Sequence, residues 1–525
     1  MNAIRLMALP NGWAMTQVGH VCCNLQYGYT ASARSESCGP RFLRITDIQD
    51  GQVQWSSVPY CIIPEEQVQK YSLHDGDILF ARTGGTVGKS FIINSIPETS
   101  VFASYLIRLT PHSSIKSRFL HYFFQSLSYW EQISLKKGGL QGNVNATTLS
   151  SLQLPLCPVN EQGRIVAKIE ELFSELDKGV ESLTAAREQL KVYRQAVLKH
   201  AFEGKLTADW RAMNPDRLET PEILLSRIHS EREARYTTAL DKWQHATIEW
   251  DAQGNIGDRP TRPRKPKNLQ ADPNEPQLKP NVSADWAIAY LGNLDAEIFD
   301  GPFGSNLKTD DYVEYGVRVI RLENVGRGRF IDEKLSFVSE EKYETIQNHT
   351  VVAGDIIFSS FIIDAIRSAI VPSSITFAVN KADCFGIRIR GQVATAFVQH
   401  FLQSRNTFKQ LEGMIHGVGR PRVNTTQLSQ VALPLCSFEE QSQILRLLDR
   451  STSEIDGLEA TIATALIQIT CLRQSILEKA FSGQLVPQDA NDEPASVLLE
   501  RICAEKQQDT SGPKNSKQRE KEMVS

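Results

Sequence analysis

Catalytic and metal-binding signatures are scarce in this chain of 525 residues. Its nine cysteines are scattered without Cys-x-x-Cys spacing and its ten histidines do not cluster, so neither a disulfide framework nor a zinc site is indicated. No Gly-x-Gly-x-x-Gly motif opens a helix, and isolated histidines and carboxylates lack a second member at catalytic spacing. The sequence therefore predicts no catalytic residue, no metal site and no cofactor held by this chain.

One segment approaches the phosphate-binding loop pattern without meeting it. Residues 84–90 read Gly-Gly-Thr-Val-Gly-Lys-Ser, but the pattern requires glycine at position 83, where the chain has Thr83. The matched segment of the second half, residues 359–368, has no glycine at all. A nucleotide hydrolase is therefore kept only as a rival hypothesis, which predicts ATP turnover by the isolated chain.

Long hydrophobic runs and a dominant charge are also lacking. No stretch approaches eighteen consecutive apolar residues, and residues 1–13 are too short and too broken for a signal peptide. The formal net charge of −4 argues against a surface coated in basic groups, although a nucleic-acid face can be local. We expect a cytoplasmic protein with no membrane partner.

The main positive feature is a segment, residues 154–206, that occurs twice. Both copies begin Leu-Pro-Leu-Cys, contain Glu-Gln and close with Ala-Phe-x-Gly-x-Leu. The second copy spans residues 433–485, a constant shift of 279 positions. Because no insertion interrupts the copies, geometry rather than composition is being preserved.

Within each copy, apolar residues alternate at steps of three and four, the a/d spacing of a coiled coil. A single stripe usually packs one helix on a globular core, but two matched stripes supply each other's partner. We predict long helices over residues 159–203 and 438–482, each on the order of 60 to 65 Å long at the rise of an α-helix. The predicted seam consists of Ile165, Ile169, Leu172, Leu176, Leu183, Leu190, Val197, Ile444, Leu448, Ile455, Leu458, Ile462, Ile469, Leu472 and Ile476.

Local signals mark the ends of these helices. Ser437 followed by Glu440 predicts a capping box, in which each side chain bonds the backbone of the other. Gly204 and Gly483 stand where a helix C-terminus favours a left-handed residue.

Residues 204–285 form a predicted connector. Thr220, followed by proline, predicts the N-cap of a helix that ends near His245. Prolines then alternate with basic residues, which predicts an extended, solvated linker, with phosphate contact as the alternative. Residues 483–525 partly repeat this layout, with a helix and a polar tail expected to be disordered beyond Glu505.

The blocks before the long helices, residues 1–158 and 286–437, repeat one plan at lower similarity. An Arg-x-x-Arg strand and a Gly-Asp turn before an apolar strand occur in both, at offsets that drift between 273 and 279. Insertions have therefore been tolerated here. The predicted class is α+β, with two similar α/β domains separated by two long helices.

These motifs resemble the specificity subunits of type I restriction-modification enzymes, over nearly the whole chain. The resemblance is specific because Leu-Pro-Leu-Cys, Glu-Gln, the heptad helix and Ala-Phe-x-Gly-x-Leu are duplicated at matching spacing. Leu-Pro-x-Gly-Trp at residues 9–13, and Trp210 with the Arg-rich connector, resemble the subgroup with a long central linker.

The resemblance implies that each block is a target recognition domain that reads one half of a split, asymmetric sequence in double-stranded DNA. It implies that the long helices form an antiparallel coiled coil that sets the half-site separation. It also implies two methyltransferase subunits that carry S-adenosylmethionine and methylate adenine N6, and restriction and translocase subunits that use ATP and Mg²⁺. The chain would then be a non-catalytic subunit of a phage-defence enzyme.

Side chains able to form two parallel hydrogen bonds are the candidates for base readout. Arg420 and Arg422 match guanine O6 and N7, while Gln141 and Asn143 match adenine N6 and N7. The alternative for each of them is an ordinary solvated side chain.

A second set of candidates contacts phosphate rather than bases. These residues are Arg82, Thr83, Lys136 and Lys137. Asn145 and Asn424 form a repeated pair before threonine, which predicts either a helix cap or a DNA contact.

A rival from another class is a coiled-coil adaptor whose variable blocks bind proteins. It predicts no salt-dependent DNA affinity, whereas a specificity subunit loses DNA affinity steeply as salt rises.

Overall fold

The computed structural model describes residues 9–49, 51–136, 144–266, 268–269, 282–414 and 421–511. The chain divides into two compact units, which are Met1–Thr184 with Ile462–Ser525 (unit 1) and Ala185–Thr461 (unit 2). The long helices occupy Val159–Phe202 and Phe438–Phe481, within one residue of the predicted bounds. Each unit therefore holds one block and a part of each long helix, and the α+β class is confirmed.

The block of unit 1 is built on a four-stranded antiparallel sheet, in the order Cys22–Tyr27, Leu106–Pro111, Ile78–Ala81 and Ser90–Ile92. A parallel pair, Arg41–Leu43 with Ser100–Phe102, lies outside this sheet. The other strands are Ala14–Gln17, Ile48–Gln49, Gln52–Val53 and Gln153–Leu156. The other helices are Glu65–Tyr71, Ser117–Phe123, Leu127–Lys136, Ala146–Ser150 and Ala495–Ser511.

The block of unit 2 repeats this sheet, in the order Ala296–Phe299, Cys384–Ile389, Ile356–Ser359 and Ser368–Ile370. Its parallel pair, Val317–Ile320 with Phe377–Asn380, belongs to a second sheet. The other strands are Ala287–Tyr290, Tyr312–Val313, Phe337–Val338, Thr350–Val352 and Ala432–Leu435. The other helices are Ala208–Met213, Pro221–Ala252, Glu340–Ile346, Thr395–Leu402, Arg405–Glu412 and Thr425–Ser429.

The sheet of each unit is covered on both faces, which explains its continuous apolar strands. In unit 1, Ile78 and Phe80 point into the core shared with the long helices, while Leu79 points into a separate core. Ile356 and Ile357 are divided between two cores of unit 2 in the same way. Alternate residues of a strand face opposite sides, so both sides need apolar residues here.

In unit 1 the two long helices run antiparallel. Asp177 forms an ion pair with Arg473, and a Cβ placed on Gly179 would lie 3.7 Å from Cδ1 of Ile469. Successive residues of the first helix therefore contact progressively earlier residues of the second, which is the antiparallel arrangement. In unit 2, the guanidinium of Arg194 likewise lies 2.5 Å from the carboxylate of Asp456.

Most residues of the predicted seam are buried or half-buried, and two are exposed. Its buried members are Ile165, Ile169, Ile444, Leu448, Ile455 and Ile462. Its half-buried members are Leu172, Leu176, Leu183, Leu190, Val197, Ile469 and Ile476. Leu458 and Leu472 are instead 53% and 51% exposed. Leu458 and Leu472 share one of the two alternating heptad positions, whereas the residues of the other position from Ile455 to Ile476 stay buried or half-buried. The exposed pair therefore lies at the border of the seam.

A buried glutamine fixes the start of each long helix to its own block. The side-chain oxygen of Gln162 accepts a hydrogen bond from the backbone N–H of Lys116 (3.1 Å), and its amide donates to the carbonyl of Cys157 (3.0 Å). Gln441 makes the two equivalent bonds in unit 2, at 2.9 Å each. Neither glutamine is exposed to solvent, so these bonds are made away from competing water.

The glutamate before each glutamine is also buried and accepts from an indole. Trp13 Nε1 donates to Glu161, and Trp286 Nε1 donates to Glu440, both at 3.1 Å. Each glutamate is 1% exposed. The tryptophans begin the two blocks, so block and helix are joined by one hydrogen-bonded group in each unit.

The two glutamates differ in their remaining oxygen. In unit 2, that oxygen of Glu440 accepts from Thr207 Oγ1 (2.6 Å) and forms an ion pair with Arg211. In unit 1, Oε1 of Glu161 has no hydrogen-bond partner among the described residues. Burial raises the pKa of Glu161, although the bond from the Trp13 indole opposes that rise.

The predicted capping box at Ser437 forms only in part. The backbone N–H of Glu440 donates to Ser437 Oγ (3.3 Å), but the Glu440 carboxylate is directed to Arg211. A buried guanidinium is a stronger partner than a backbone N–H, and this takes the carboxylate away from the helix end. The glycine caps are confirmed, because Gly204 and Gly483 have φ angles of 73° and 71°.

The helices that follow the repeats are longer than predicted. Thr220 caps Pro221–Ala252 by accepting from the N–H of Ile223 (3.4 Å), and this helix continues seven residues past the predicted end. Ala495–Ser511 continues past Glu505, so the expectation of disorder is wrong up to residue 511. Residues 512–525 lie outside the described residues.

The second long helix, Phe438–Phe481, contains an 18-residue window of mean hydropathy 1.4. By length and composition alone this helix is apolar enough to cross a membrane, although polar residues interrupt it and it contains no run of eighteen consecutive apolar residues. The buried Ile455 and Ile462 belong to the seam that packs against the first long helix. An apolar seam therefore accounts for part of this hydropathy.

We expect Glu440→Gln to destabilise unit 2 by about 3 kcal/mol, because the Arg211 guanidinium, 11% exposed, loses its buried counter-charge. The matched change Glu161→Gln in unit 1 should alter stability by less than about 1 kcal/mol, because no cation depends on that oxygen. Hydrogen exchange with mass spectrometry on the full chain reports each unit separately. Equal losses of stability in the two units would contradict the different roles of Glu161 and Glu440.

The raised pKa of Glu161 gives unit 1 a pH dependence. A carboxylate whose folded pKa lies above its unfolded pKa destabilises the native state once it ionises, so this cost appears as the pH rises. Glu161→Gln should therefore be more stable than the wild type at neutral pH. The difference should shrink as the pH falls through the raised pKa, measured by hydrogen exchange of unit 1. A constant difference would show that ionisation of Glu161 is not the cause.

Candidate nucleic-acid interface

In unit 1, an arginine and a tyrosine meet where the chain returns toward the first long helix. The backbone N–H of Val144 donates to the carbonyl of Arg82 (3.3 Å), directly after the strand Ile78–Ala81. The Arg82 guanidinium lies 5.0 Å from the centre of the Tyr27 ring. Tyr27 is 38% exposed, and its hydroxyl accepts from the N–H of Ala146 (3.2 Å). The ring is therefore held in place beneath the guanidinium.

Unit 2 forms a comparable pair at the same point of its block. The N–H of Val423 donates to the carbonyl of Ser360 (3.0 Å), the residue after the strand Ile356–Ser359. The Arg422 guanidinium lies 4.3 Å from the centre of the Phe361 ring. Its side chain is 53% exposed, and its Nη2 is 3.3 Å from the Asp383 carboxylate. This arginine is thus oriented from two sides and still open to solvent.

The two pairs are built from residues that do not match in the repeat. In unit 1 the arginine comes from the end of the buried strand and the ring from an earlier strand. In unit 2 the ring follows the buried strand and the arginine comes from the returning chain. The same guanidinium–aromatic contact therefore occurs at one position of the fold through different sequences.

Such a pair is chemically suited to nucleic acid. A guanidinium is planar, permanently charged and carries five N–H donors, so it can bind a guanine edge or a phosphate through two bonds. Stacking on a ring restricts its rotamers and leaves its edge available. Nε of Arg82 is buried and has no hydrogen-bond partner within the described residues, so this donor is not itself open to a ligand.

The predicted asparagines act as helix caps. The side-chain oxygen of Asn145 accepts from the N–H of Thr148 (2.7 Å), and that of Asn424 accepts from the N–H of Gln427 (2.8 Å). Of the two interpretations of these residues, the cap is therefore confirmed. The exposed face of each cap remains a predicted DNA contact.

The other predicted residues are placed only in part. Thr83 is exposed and directly follows Arg82, while Lys136 is the last residue of the helix Leu127–Lys136. The candidates that lie outside the described residues are Lys137, Gln141, Asn143 and Arg420. Their assignments stay predictions.

Tyr27 and Phe361 were missed by sequence reasoning. Each is a single aromatic residue at the end of a strand, a pattern that usually indicates core packing. Tyr27 and Arg82 are far apart in the chain, and only the pairing of the central strands brings them together. The one available signal was the partial exposure expected at a strand end.

The described residues lack a side-chain group that binds metal ions. Among them, no group of three or more His, Cys, Asp or Glu side chains could hold a metal ion. The buried cysteines belong to apolar surroundings, and burial raises the pKa of the Cys22 thiol to about 12.

The matches to known proteins agree with this geometry. Residues 24–184 match the family model described as the type I restriction modification DNA specificity domain. The match covers most of the block of unit 1 and the first part of the long helix Val159–Phe202.

Parts of the chain are similar to specificity subunits of type I restriction enzymes. The StySPI specificity subunit of Salmonella potsdam is 30% identical over 230 residues, covering 42% of this chain and 50% of the relative. The EcoKI specificity subunit of Escherichia coli (strain K12) is 27% identical over 223 residues, covering 41% of this chain and 48% of the relative. The matches span about half the length of each of these two relatives. The protein is thus related to type I restriction enzyme specificity subunits.

A solved structure of a type I restriction-modification system contains a chain with the same fold. It superposes with a TM-score of 0.58 at 16% identity and covers 91% of this chain and all of that chain. At this identity the likeness concerns the fold alone. Membership of the long-linker subgroup stays a prediction.

Proposed function

We propose that this protein is the sequence-specific DNA-binding subunit of a type I restriction-modification complex. The observation that supports it most directly is a guanidinium stacked on an aromatic ring at one position of both blocks, exposed at Arg422 and half-buried at Arg82. In this proposal each block reads one half of a bipartite site. Because the pairs are built from unmatched residues, the two halves differ in sequence and the site is asymmetric.

The stacked arginine acts as a base reader whose position is set before DNA arrives. Arg422 is held by the Phe361 ring and the Asp383 carboxylate, so little side-chain freedom is lost on binding. A guanidinium held in this way offers two parallel donors to guanine O6 and N7 in the major groove. In unit 1, Arg82 has the same geometry, so we reassign it from phosphate contact to base readout.

The remaining partners follow from the repeat. In each unit a buried Glu-Gln pair and a buried tryptophan join the block to the start of a long helix in the same arrangement, so the outer surfaces around these two junctions are similar and suit two copies of one partner. We assign these surfaces to two methyltransferase subunits that carry S-adenosylmethionine. Restriction and translocase subunits that use ATP and Mg²⁺ complete the complex. The chain itself is non-catalytic, cytoplasmic and not bound to a membrane.

The protein adaptor is not favoured as an alternative. Its variable blocks would present surfaces for proteins, whereas residues 24–184 match a DNA specificity domain. The arginine–aromatic pairs also suit a polyanion better than an apolar protein surface.

We expect Arg422→Ala to weaken binding of the cognate duplex by roughly 1–3 kcal/mol and to relax selectivity in one half-site only. Arg82→Ala should do the same in the other half-site. Duplexes selected from a random library by each variant, and then sequenced, show which base positions lose their preference. The control is Arg405→Ala, an exposed arginine of the same block at the start of a helix. Uniform weakening at both half-sites would contradict base readout.

The tyrosine beneath Arg82 gives a finer test of the stack. Tyr27→Phe keeps the ring and removes the hydroxyl that accepts from Ala146, so most half-site selectivity should remain. Tyr27→Leu removes the ring and should lower selectivity nearly as much as Arg82→Ala does. The same library selection measures both variants. If Tyr27→Leu behaved like Tyr27→Phe, the ring would have no part in orienting the arginine.

The long helices contain residues of both units, which suggests that they set the distance between the half-sites. Deletion of one heptad from each helix shortens the pair by about 10 Å, or roughly three base pairs of DNA. We expect the deleted protein to prefer a shorter spacer or to lose binding, as measured with duplexes of graded spacer length. An unchanged spacer preference would contradict the proposal that the long helices set the distance between the half-sites.

A further inference from the structure

The connector helix of unit 2 is longer than its docking to the core requires. Pro221–Ala252 has 32 residues, whereas the equivalent helix of unit 1, Ala495–Ser511, has 17. Its buried residues, Leu224, Ile228 and Arg232, all lie in its first half. The second half, beyond Arg232, has no buried residue and needs another explanation.

The chain returns along this exposed half in a defined conformation. We name residues 257–266 the return segment. The Trp250 indole donates to the carbonyl of Gly257 (3.0 Å), and the Trp243 indole donates to the carbonyl of Pro260 (2.9 Å). Most residues of the segment are exposed, so it is solvated as predicted, while two indoles attach its backbone to the helix.

The far end of the return segment is fastened to the block. Just beyond it, the N–H and the carbonyl of Leu269 both bond the side chain of Asn293, at 2.7 Å each. Arg232 also donates to the side chain of Asn268 (3.2 Å). The segment is thus held at both ends and in its first half.

The return segment separates its apolar and basic side chains. Pro263 and Pro266 are half-buried, whereas Arg262, Arg264 and Lys265 are exposed. Arg262 lies 5.5 Å from the centre of the Trp243 ring, which orients its guanidinium. The structure shows no ion pair for these three cations in the ranges it describes.

Cations fixed beside one another without counter-charges repel each other, so the arrangement favours a polyanionic ligand. The proline-rich sequence predicts an extended chain that rises ~3.1 Å per residue, which would place Arg262 and Arg264 about 6 Å apart. Phosphates of one DNA strand repeat at ~3.4 Å along the duplex axis, so these cations can face phosphates one or two steps apart. An acidic protein surface carries no such regular row of charges.

We propose that the return segment binds the phosphate backbone of duplex DNA and adds affinity without sequence preference. This inference rests on the proposed function, since DNA is the ligand in both. It locates a positive surface on a chain whose net charge is −4. The contact is separate from the arginine–aromatic pairs, because it reads no base.

The test is the full chain with Arg262→Gln, Arg264→Gln and Lys265→Gln combined. Binding to a selected duplex and to a scrambled duplex is measured between 50 and 200 mM salt. Loss of three phosphate contacts should lower the slope of log affinity against log salt by about 2.7. Affinity at low salt should fall on the order of 10- to 100-fold for both duplexes, with an unchanged ratio between them.

A matched control removes the same charge elsewhere. Lys178, Arg187 and Arg446 are exposed on the long helices, and their combined change to Gln should leave the salt slope as in the wild type. Equal slopes for the return-segment variant and the wild type would overturn the inference, and so would a fall as large in the control. Tryptophan fluorescence of Trp243 and Trp250 verifies that the helix and segment remain folded together.

The same experiment separates this inference from the proposed function. If the wild type selected no preferred duplex from a random library, the proposed function would fail whatever the salt slope. If it selected a site and the return-segment variant kept the full slope, only the present inference would fail. Binding of the wild-type segment to an acidic protein, with unchanged DNA affinity in the variant, would also overturn it.

Discussion

The buried Glu-Gln pair at the start of each long helix is the constraint on which the rest of each unit depends. A carboxylate and an amide that water does not reach must find partners within the protein, and here those partners come from the block as well as from the helix. The block therefore cannot shift along the helix without breaking these bonds. This explains why the repeat keeps a constant register through the helices, while the strands and loops of the blocks have accepted insertions.

The buried glutamate of this pair has different hydrogen-bond partners in the two units. Thr207 and Arg211 complete the hydrogen bonding of Glu440, whereas one oxygen of Glu161 lacks a described partner. At this position the repeat preserved the glutamates and the indoles but not the cation. The two arginine–aromatic pairs follow the same logic, because their location is constant and their residues are not. A fixed scaffold with exchangeable contacts is what reading two different half-sites requires.

Local electrostatics reconcile a negative chain with a DNA ligand. Aromatic rings contact Arg262 of the return segment, the exposed Arg422 and the half-buried Arg82, so these cations occupy defined places. Most other arginines are paired with carboxylates and contribute little to an external field. The net charge is therefore a poor guide here, whereas the position of unpaired cations is informative.

Sequence alone determined the long helices, their glycine caps, the α+β class and the family resemblance, because periodicity, caps and exact duplication are local patterns that survive without knowledge of the fold. It also located Arg82 and Arg422, as charged residues at the edges of loops. Only the tertiary structure showed which rings support them, since Tyr27 and Arg82 are joined through strand pairing across the sheet. It likewise showed that Leu458 and Leu472 lie at the border of the seam and that two indoles attach a solvated segment to a helix. Those outcomes depend on which distant groups compete for the same space or the same hydrogen bond, and such competition exists only once the chain has folded.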